Sequence, residues 1–331
     1  MKKLKNTKID VATFGSATRD AFIRSEGQVI QSDEFTTHKG LCFPLGSKVS
    51  VSDLFFTVGG GGTNTAVTFA KQGLKTAYIG KVGKDLAGRD VINVLDGFGV
   101  ETEFIQTTME RRTNFSVVLD AEKEDRTILV YRGASNTLKP QEIPTSLKAD
   151  WFYLAPFPKS SEDTFHKIID LAKRKASKVA INPSKGQLKS KKFIDRINDF
   201  DVLLVNQEEA SILTGIDYEK EGQIFEKIDS LFRGIFVMTK GPDGLTVSDD
   251  ENIYKVDTTP KKEVADRTGA GDSFGSGFVS GLVKGFSIEE AIQLGVANAT
   301  NCLTEKGAKN GLLKERDSYE KVEVKIEKNA N

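Results

Sequence analysis

A chain of 331 residues, 38% hydrophobic and 28% charged, can bury a full core as one large or two modest domains. Its basic and acidic residues balance at 47 each, which removes the electrostatic basis for binding nucleic acid or an anionic membrane. No apolar run nears the roughly 20 residues that span a bilayer, residues 1–5 have no apolar signal core behind them, and Cys42, Cys302, His38 and His166 are too few for a disulfide framework, zinc site or histidine triad; the cytoplasm is the expected compartment.

Taken in order, residues 9–15 predict a first strand, with residues 16–20 leaving its end. Ligands of open parallel sheets sit outside the strands' carboxyl ends, which makes Asp20 a candidate substrate contact or, equally, a loop or capping aspartate. Residues 22–57 scatter Phe35, Phe43, Val49, Leu54, Phe55 and Phe56 among polar residues without helical spacing, and predict short antiparallel strands outside the main sheet. Four glycines, Gly59 to Gly62, precede a helix running to about Gln72, with Gly73 as its stop. Apolar segments on both sides argue for close approach of backbone to a ligand rather than for a flexible linker. A strand over 76–80 and a helix over 85–98 follow, the helix with Val91, Ile92, Leu95 and Phe98 on one face. Strands over 113–119 and 126–131, joined by the charged turn 120–125, would extend the small sheet.

The second half alternates. Strands at 151–155, 178–182, 201–205 and 234–239 are separated by helices near 161–176, 190–199 and 219–232, with a short one near 208–214. That alternation predicts an α/β fold with a mostly parallel sheet flanked by helices on both faces. Asn206-Gln207-Glu208-Glu209 begins where a strand ends, either at the active edge or as a solvated acidic helix start. Thr239-Lys240-Gly241-Pro242-Asp243-Gly244 reads as a tight turn. Ser287-Ile288-Glu289-Glu290 is a capping box opening a helix that runs to about Leu303 and carries Asn298 and Cys302. In the charged tail, Val322, Val324 and Ile326 alternate with charges, as in an edge strand or a solvated tail.

The most informative window is 264–282, V-A-D-R-T-G-A-G-D-S-F-G-S-G-F-V-S-G-L. Gly269-Ala270-Gly271 can turn tightly and opens a helix whose free N–H groups and dipole suit a phosphate. Gly275, Gly277 and Gly281 weaken that helix by about 1 kcal/mol each relative to Ala, and close packing would be the return. A carboxylate at Asp272 repels phosphate, so it either takes a proton from an attacking hydroxyl or serves as a helix cap. A dinucleotide-binding turn is rejected, because residues 261–267 make a poor buried strand and Asp272 would face a pyrophosphate.

Together these stretches resemble the ribokinase-like (PfkB) carbohydrate kinase family. G-G-G-G-T-N-T-A-V at 59–67 and D-R-T-G-A-G-D-S-F-G-S-G at 266–277 look like its two signatures, N-Q-E-E at 206–209 like its Asn-x-x-Glu motif, and T-K-G-P-D-G at 239–244 like its nucleotide loop. Order and spacing agree over roughly residues 9–310. The resemblance implies one Rossmann-like α/β kinase domain over 1–331, with a small β-sheet lid inserted from 22–57 and 112–135. It implies Asp272 as general base, with the N–H groups of Gly269, Ala270 and Gly271 as anion hole. Asn206 and Glu209 would organise Mg²⁺ and phosphates, largely through water. Thr239, Gly241, Gly244 and Asn298 would lie along ATP, while Asp20, Gly59, Gly60 and Asn64 would hold substrate hydroxyls. Many members bind a monovalent cation such as K⁺ near Asp266 and Thr268, and lid-to-lid homodimers are common.

Three positions depart from the ribokinase pattern: Gly61 stands where Lys is usual, Ala155 where Glu is usual, and Arg267 where a small residue is usual. Ribose specificity does not follow, and the acceptor is read as a small sugar or, alternatively, a nucleoside stacked on lid aromatics. Arg132 leaves a phosphorylated sugar open. A non-catalytic sensor of sugar or nucleotide is the rival from another class, disfavoured by Asp272 beside an intact G-A-G turn.

Overall fold

The computed structural model describes residues 8–25, 27–35, 38–120, 126–158, 161–260 and 262–329. The chain opens with β1 (Ile9–Phe14), β2 (Thr18–Ser25), β3 (Gln28–Gln31), β4 (Lys39–Cys42), β5 (Val51–Gly59) and helix α1 (Gly61–Lys71). It continues through β6 (Thr76–Ile79), β7 (Lys81–Gly83), α2 (Leu86–Gly97), β8 (Gln106–Thr108), β9 (Asn114–Asp120) and β10 (Thr127–Tyr131). Then come β11 (Ala149–Leu154), α3 (Glu162–Lys175), β12 (Lys178–Ile181), α4 (Lys185–Leu188), α5 (Lys191–Ile194), β13 (Val202–Asn206), α6 (Gln207–Thr214), α7 (Glu221–Leu231) and β14 (Ile235–Thr239). The last elements are β15 (Leu245–Ser248), β16 (Asn252–Val256), α8 (Ala270–Val283), α9 (Ile288–Cys302) and β17 (Lys325–Lys328).

A nine-stranded sheet in the order β17-β16-β15-β14-β13-β12-β11-β1-β6 forms the body. From β6 to β14 every pairing is parallel, and β14 to β17 add an antiparallel edge. Successive side chains point to opposite faces of a strand. Ala12, Phe14, Phe152 and Leu154 therefore join one core with Phe165 and Ile168 of α3, while Val11, Trp151 and Tyr153 join another with Phe278 and Val279 of α8. Covering both faces makes these strands largely apolar, with Asp10 and Asp150 near their starts. The glycines of α8 obtain the close packing expected of them. A Cβ on Gly281 would lie 2.8 Å from Ala291 Cα, and one on Gly277 3.2 Å from Gly295 Cα, so α8 and α9 are nearly in backbone contact. Among the described residues no helix is long and apolar enough to cross a membrane.

Apart from the body stands a four-stranded sheet, β10-β9-β2-β5. It differs from the antiparallel expectation, because β2 pairs antiparallel with β5 but parallel with β9. It also begins earlier than expected: Asp20 lies within β2 rather than in a loop after β1. The expected helix near 190–199 is replaced by the single turns α4 and α5, where Ser184 and Gln187 form a capping box that starts a turn before residue 190. β15 and β16 have no counterpart in the sequence reading, and the tail does form an edge strand, β17 on β16. The turn at 121–125 and Lys261 lie outside the described residues.

Candidate active site

Gly269 carries φ 79° and turns the chain into α8, whose first residues are Ala270, Gly271 and Asp272. A left-handed φ favours glycine, and a Cβ there would also lie 2.3 Å from Ala308 Cβ. The N–H groups of a first turn have no partner within the helix, so this turn offers donors and a positive dipole end to an anion. Asp272 is partly exposed at this mouth. It is not the N-cap, a place taken by Gly269 without any side-chain cap bond. Its Oδ2 accepts from Asn64 Nδ2 at 2.8 Å, while Oδ1 faces Gly61, where a Cβ would be 3.4 Å away. Burial raises its carboxyl above the ordinary range, against the opposing pull of Asn64 and Lys309.

Asn64 sits on α1, just after the glycine run. Gly60 holds φ 96°, and a Cβ on it would meet Ser16 O at 2.5 Å, so the turn that seats α1 against the end of β1 requires glycine. Gly59 lies against Asp20, whose Oδ2 would be 2.0 Å from a Cβ at that position. Asp20 is 8% exposed; burial raises its carboxyl, with a Ser116 hydrogen bond and the charge of Lys309 pulling the other way. The structure thus gathers Asp20, Gly59, Gly60, Asn64 and Asp272 in one place.

The residue that sequence reading missed is Lys309. It is 6% exposed, and its ammonium donates to Val58 O at 2.6 Å, Thr63 Oγ1 at 3.0 Å and Asn64 Oδ1 at 2.5 Å. Those three bonds use every donor an ammonium has. Holding Asn64 by its oxygen leaves the amide nitrogen for Asp272. Burial drives Lys309 down to about 7, opposed by the charges of Asp20 and Asp272. The only sequence signal was a lysine two residues after the loop glycine Gly307.

Of the residues expected along a nucleotide, Asn206 and Thr239 are direct neighbours at the carboxyl ends of β13 and β14. Asn206 Oδ1 accepts from Glu209 N at 2.8 Å and Glu209 Oε2 from Asn206 N at 2.9 Å, a reciprocal capping box that opens α6. Burial raises the Glu209 carboxyl. Gly241 and Gly244 bracket a turn closed by Lys240 N donating to Gly244 O at 2.9 Å. Pro242 O of this turn accepts from Thr259 N at 3.3 Å. The loop so tied includes Pro260, which lines a cavity of about 350 Å³ with Ala297, Thr300, Asn301 and Tyr319. Asn298 is a correction to the expected nucleotide contacts. It is 0% exposed, donates to Ser273 O at 2.7 Å and accepts from Leu313 N at 2.9 Å, so both ends of its amide are spent on backbone. Its neighbours Ala297 and Asn301 face the cavity instead.

Asp266 and Thr268 are adjacent as expected, but they do not form an open cation site. The guanidinium of Arg126 donates to Asp266 Oδ1 and, at 2.9 Å, to Thr268 Oγ1. Among the described residues no cluster of three or more His, Cys, Asp or Glu could hold a metal.

A parallel α/β body, a separate small sheet, and a partly exposed carboxylate at a glycine turn that opens a helix define a class: α/β proteins with a ligand site at the carboxyl edge of the sheet. Comparison with known proteins narrows this. The family described as pfkB family carbohydrate kinase matches residues 9–315, and the chain belongs to it; it is a phosphotransferase acting on a sugar hydroxyl. It is 30% identical to the ribokinase of Haemophilus influenzae over 274 residues, covering 80% of this chain and 87% of that one. The solved Arabidopsis thaliana ribokinase complexed with ribose and ATP superposes with TM-score 0.75 at 22% identity, covering 94% of this chain and 97% of that one. A putative ribokinase II from E. coli in complex with ATP and Mg²⁺ gives TM-score 0.75 at 18% identity, covering 92% and 96%.

Proposed function

We propose that the chain transfers the γ-phosphoryl group of ATP to a hydroxyl of a small sugar, with Asp272 as general base and the N–H groups of Gly269, Ala270 and Gly271 as anion hole. One observation carries the reading. Asp272 is pinned through one oxygen by Asn64, and its other oxygen is turned to a position with no side chain, next to the donors of the same helix turn. A sugar hydroxyl held by Asp20 and the backbone at Gly59 and Gly60 would give its proton to Oδ1, a step worth roughly 10²–10⁴-fold. The turn's donors would stabilise the charge on the transferred group. Asn64 orients the base through its amide nitrogen.

Asn206 and Glu209 present hard oxygen donors suited to Mg²⁺, and their mutual capping box favours contact through water. When bound, Mg²⁺ supplies charge neutralisation on the phosphates. Thr239, Gly241 and Gly244 would flank those phosphates, and the cavity beside Pro260 and Asn301 would take the base. The cytoplasm, where ATP is abundant, is the proposed compartment.

The acceptor is proposed to be bulkier than ribose alone requires. Gly61 and Ala155, the two departures that shorten side chains, are neighbours: a Cβ on Gly61 would be 3.1 Å from Ala155 Cβ and 3.4 Å from Asp272 Oδ1. Both omissions enlarge the same space beside the base. The alternative acceptor, a nucleoside, is supported by a second observation. Phe22 and Phe55 stack at 4.6 Å and line a cavity of about 210 Å³ between the small sheet and residues 264–267. An ATP-consumption screen over pentoses, hexoses, sugar phosphates and nucleosides is expected to find turnover in the sugar panel. Turnover with nucleosides alone would transfer the assignment to the second reading, and none in any panel would sink both.

The outer face of the small sheet leaves Leu54, Phe56, Leu129 and Tyr131 exposed. Contiguous exposed apolar residues of this kind mark interaction surfaces, and a homodimer through this face is proposed. Sedimentation analysis should give twice the chain mass of 36.3 kDa, and Phe56→Glu with Leu129→Glu should give monomers; a wild-type monomer at micromolar concentration would refute it.

A further inference from the structure

The resemblance leads one to look for a metal ion between Asp266 and Thr268, and the chain supplies its own cation there. Arg126 immediately precedes β10 of the small sheet. It reaches across to the body and donates to both Asp266 Oδ1 and Thr268 Oγ1. Asp266 is 6% exposed. Besides Arg126, its carboxylate accepts from Thr268 N at 2.9 Å, Thr268 Oγ1 at 2.7 Å and Gly307 N at 2.9 Å. Three of these four donors converge on Oδ1, which has about two lone-pair sites, so the oxygen that faces Thr268 is saturated, while Oδ2 takes Gly307 N. Burial opposes ionisation of Asp266, and these bonds outweigh it and hold the carboxyl below its ordinary range.

Both segments that Asp266 grips lead into the catalytic turn. Thr268 is the residue before Gly269, which opens the phosphoryl-binding end of α8. Gly307 leads to Ala308, against which Gly269 packs, and to Lys309, which orients Asn64 and through it Asp272. The small sheet that brings Arg126 also brings Asp20.

We infer that Arg126 is a positioning residue that stands in for an exchangeable monovalent cation, tying the acceptor-holding sheet to the phosphoryl-binding turn so that this protein needs no such ion. Its catalytic consequence rests on the phosphotransfer reading above, but its effect on the folded protein does not. A fixed guanidinium held by a buried carboxylate is screened little by salt and is not lost when the medium changes.

The test begins with the wild-type protein, free of ligands, melted in KCl and in tetramethylammonium chloride at equal ionic strength. The expected result is the same Tm in both, with turnover likewise indifferent to the cation. Arg126→Ala is expected to gain stability from K⁺ or guanidinium that wild type does not gain. Its kcat should fall about 10–10²-fold, the scale of a ~1 Å misplacement of reacting groups, with KM for nucleotide little changed and partial recovery on adding guanidinium. Arg126→Lys, which keeps the charge but loses the fork, should fall between the two. A wild-type Tm higher in KCl than in tetramethylammonium chloride, or a wild-type turnover raised severalfold by K⁺, would overturn the inference, as would an Arg126→Ala protein with unchanged kcat, or with a loss that neither cation repairs. If Arg126→Ala does not fold, the wild-type cation comparison decides alone; if no acceptor is ever found, the ligand-free melting still does.

Discussion

Asp272→Asn is expected to lower kcat by at least ~10²-fold while nucleotide binding and folding are retained. The substitution keeps the shape of the side chain and leaves an amide oxygen for Asn64 Nδ2, so the hydrogen bond at 2.8 Å can persist. What it removes is the ability to accept a proton at the oxygen facing Gly61. Stability should not suffer at neutral pH. Burial raises the folded-state carboxyl above its unfolded value, so the contribution of Asp272 to stability is fully present below the unfolded pKa and is lost as pH rises through the folded one. At pH 7 the charged aspartate therefore costs stability, and asparagine relieves that cost. The expected Tm is equal to or above that of wild type. Calorimetric nucleotide titration beside acceptor-saturated kinetics separates the cases, and turnover near wild type would remove the base assignment.

Lys309→Met carries the second large effect. The ammonium lies deep in the protein and pulls the carboxyls of both Asp20 and Asp272 downward. Without it the ionised form of Asp272 is less favourable, so the acid limb of the kcat profile should move to higher pH. Val58 O, Thr63 Oγ1 and Asn64 Oδ1 each lose a donor, and Asn64 is freed to rotate away from Asp272. Turnover at pH 7 is expected to fall about 10–10²-fold, the scale set by misplaced reacting groups. Stability responds with the opposite sign to that of the carboxylate. Lys309 is lowered from 10.5 to about 7, so its contribution is present above the unfolded value and is lost as pH falls through the folded one. Between pH 10 and 7, wild type should therefore lose Tm relative to Lys309→Met. An acid limb that stays in place in the variant would show that Lys309 does not act on the base.

Much of the body was legible in the residues alone. Alternating apolar runs and helix caps set β11 to β14 with the helices between them, and the capping box at Ser287 and Glu290 forms as read, with Glu290 N donating to Ser287 Oγ at 3.2 Å. Those signals are local, each complete within one or two turns. The small sheet was legible as a separate unit but not in its pairing. The parallel contact of β2 with β9 joins segments about 95 residues apart in the chain, a separation at which no turn chemistry specifies register. Asn298 shows the opposite failure. A polar residue on a helix near a nucleotide motif invites a ligand role, yet only packing reveals that its amide is consumed by Ser273 and Leu313.

The amino-acid sequence by itself determined the glycine turn that opens α8, the aspartate behind it, and the order of four motifs along one α/β chain, because each is a matter of neighbouring residues and their permitted backbone conformations. The tertiary structure alone decided which distant groups those motifs meet. Lys309 is 245 residues from Asn64, and Arg126 is 140 from Asp266. Each cation meets a buried carboxylate or amide whose polar atoms it satisfies. Burial is a property of the packed elements, so no periodicity in a single segment could announce it.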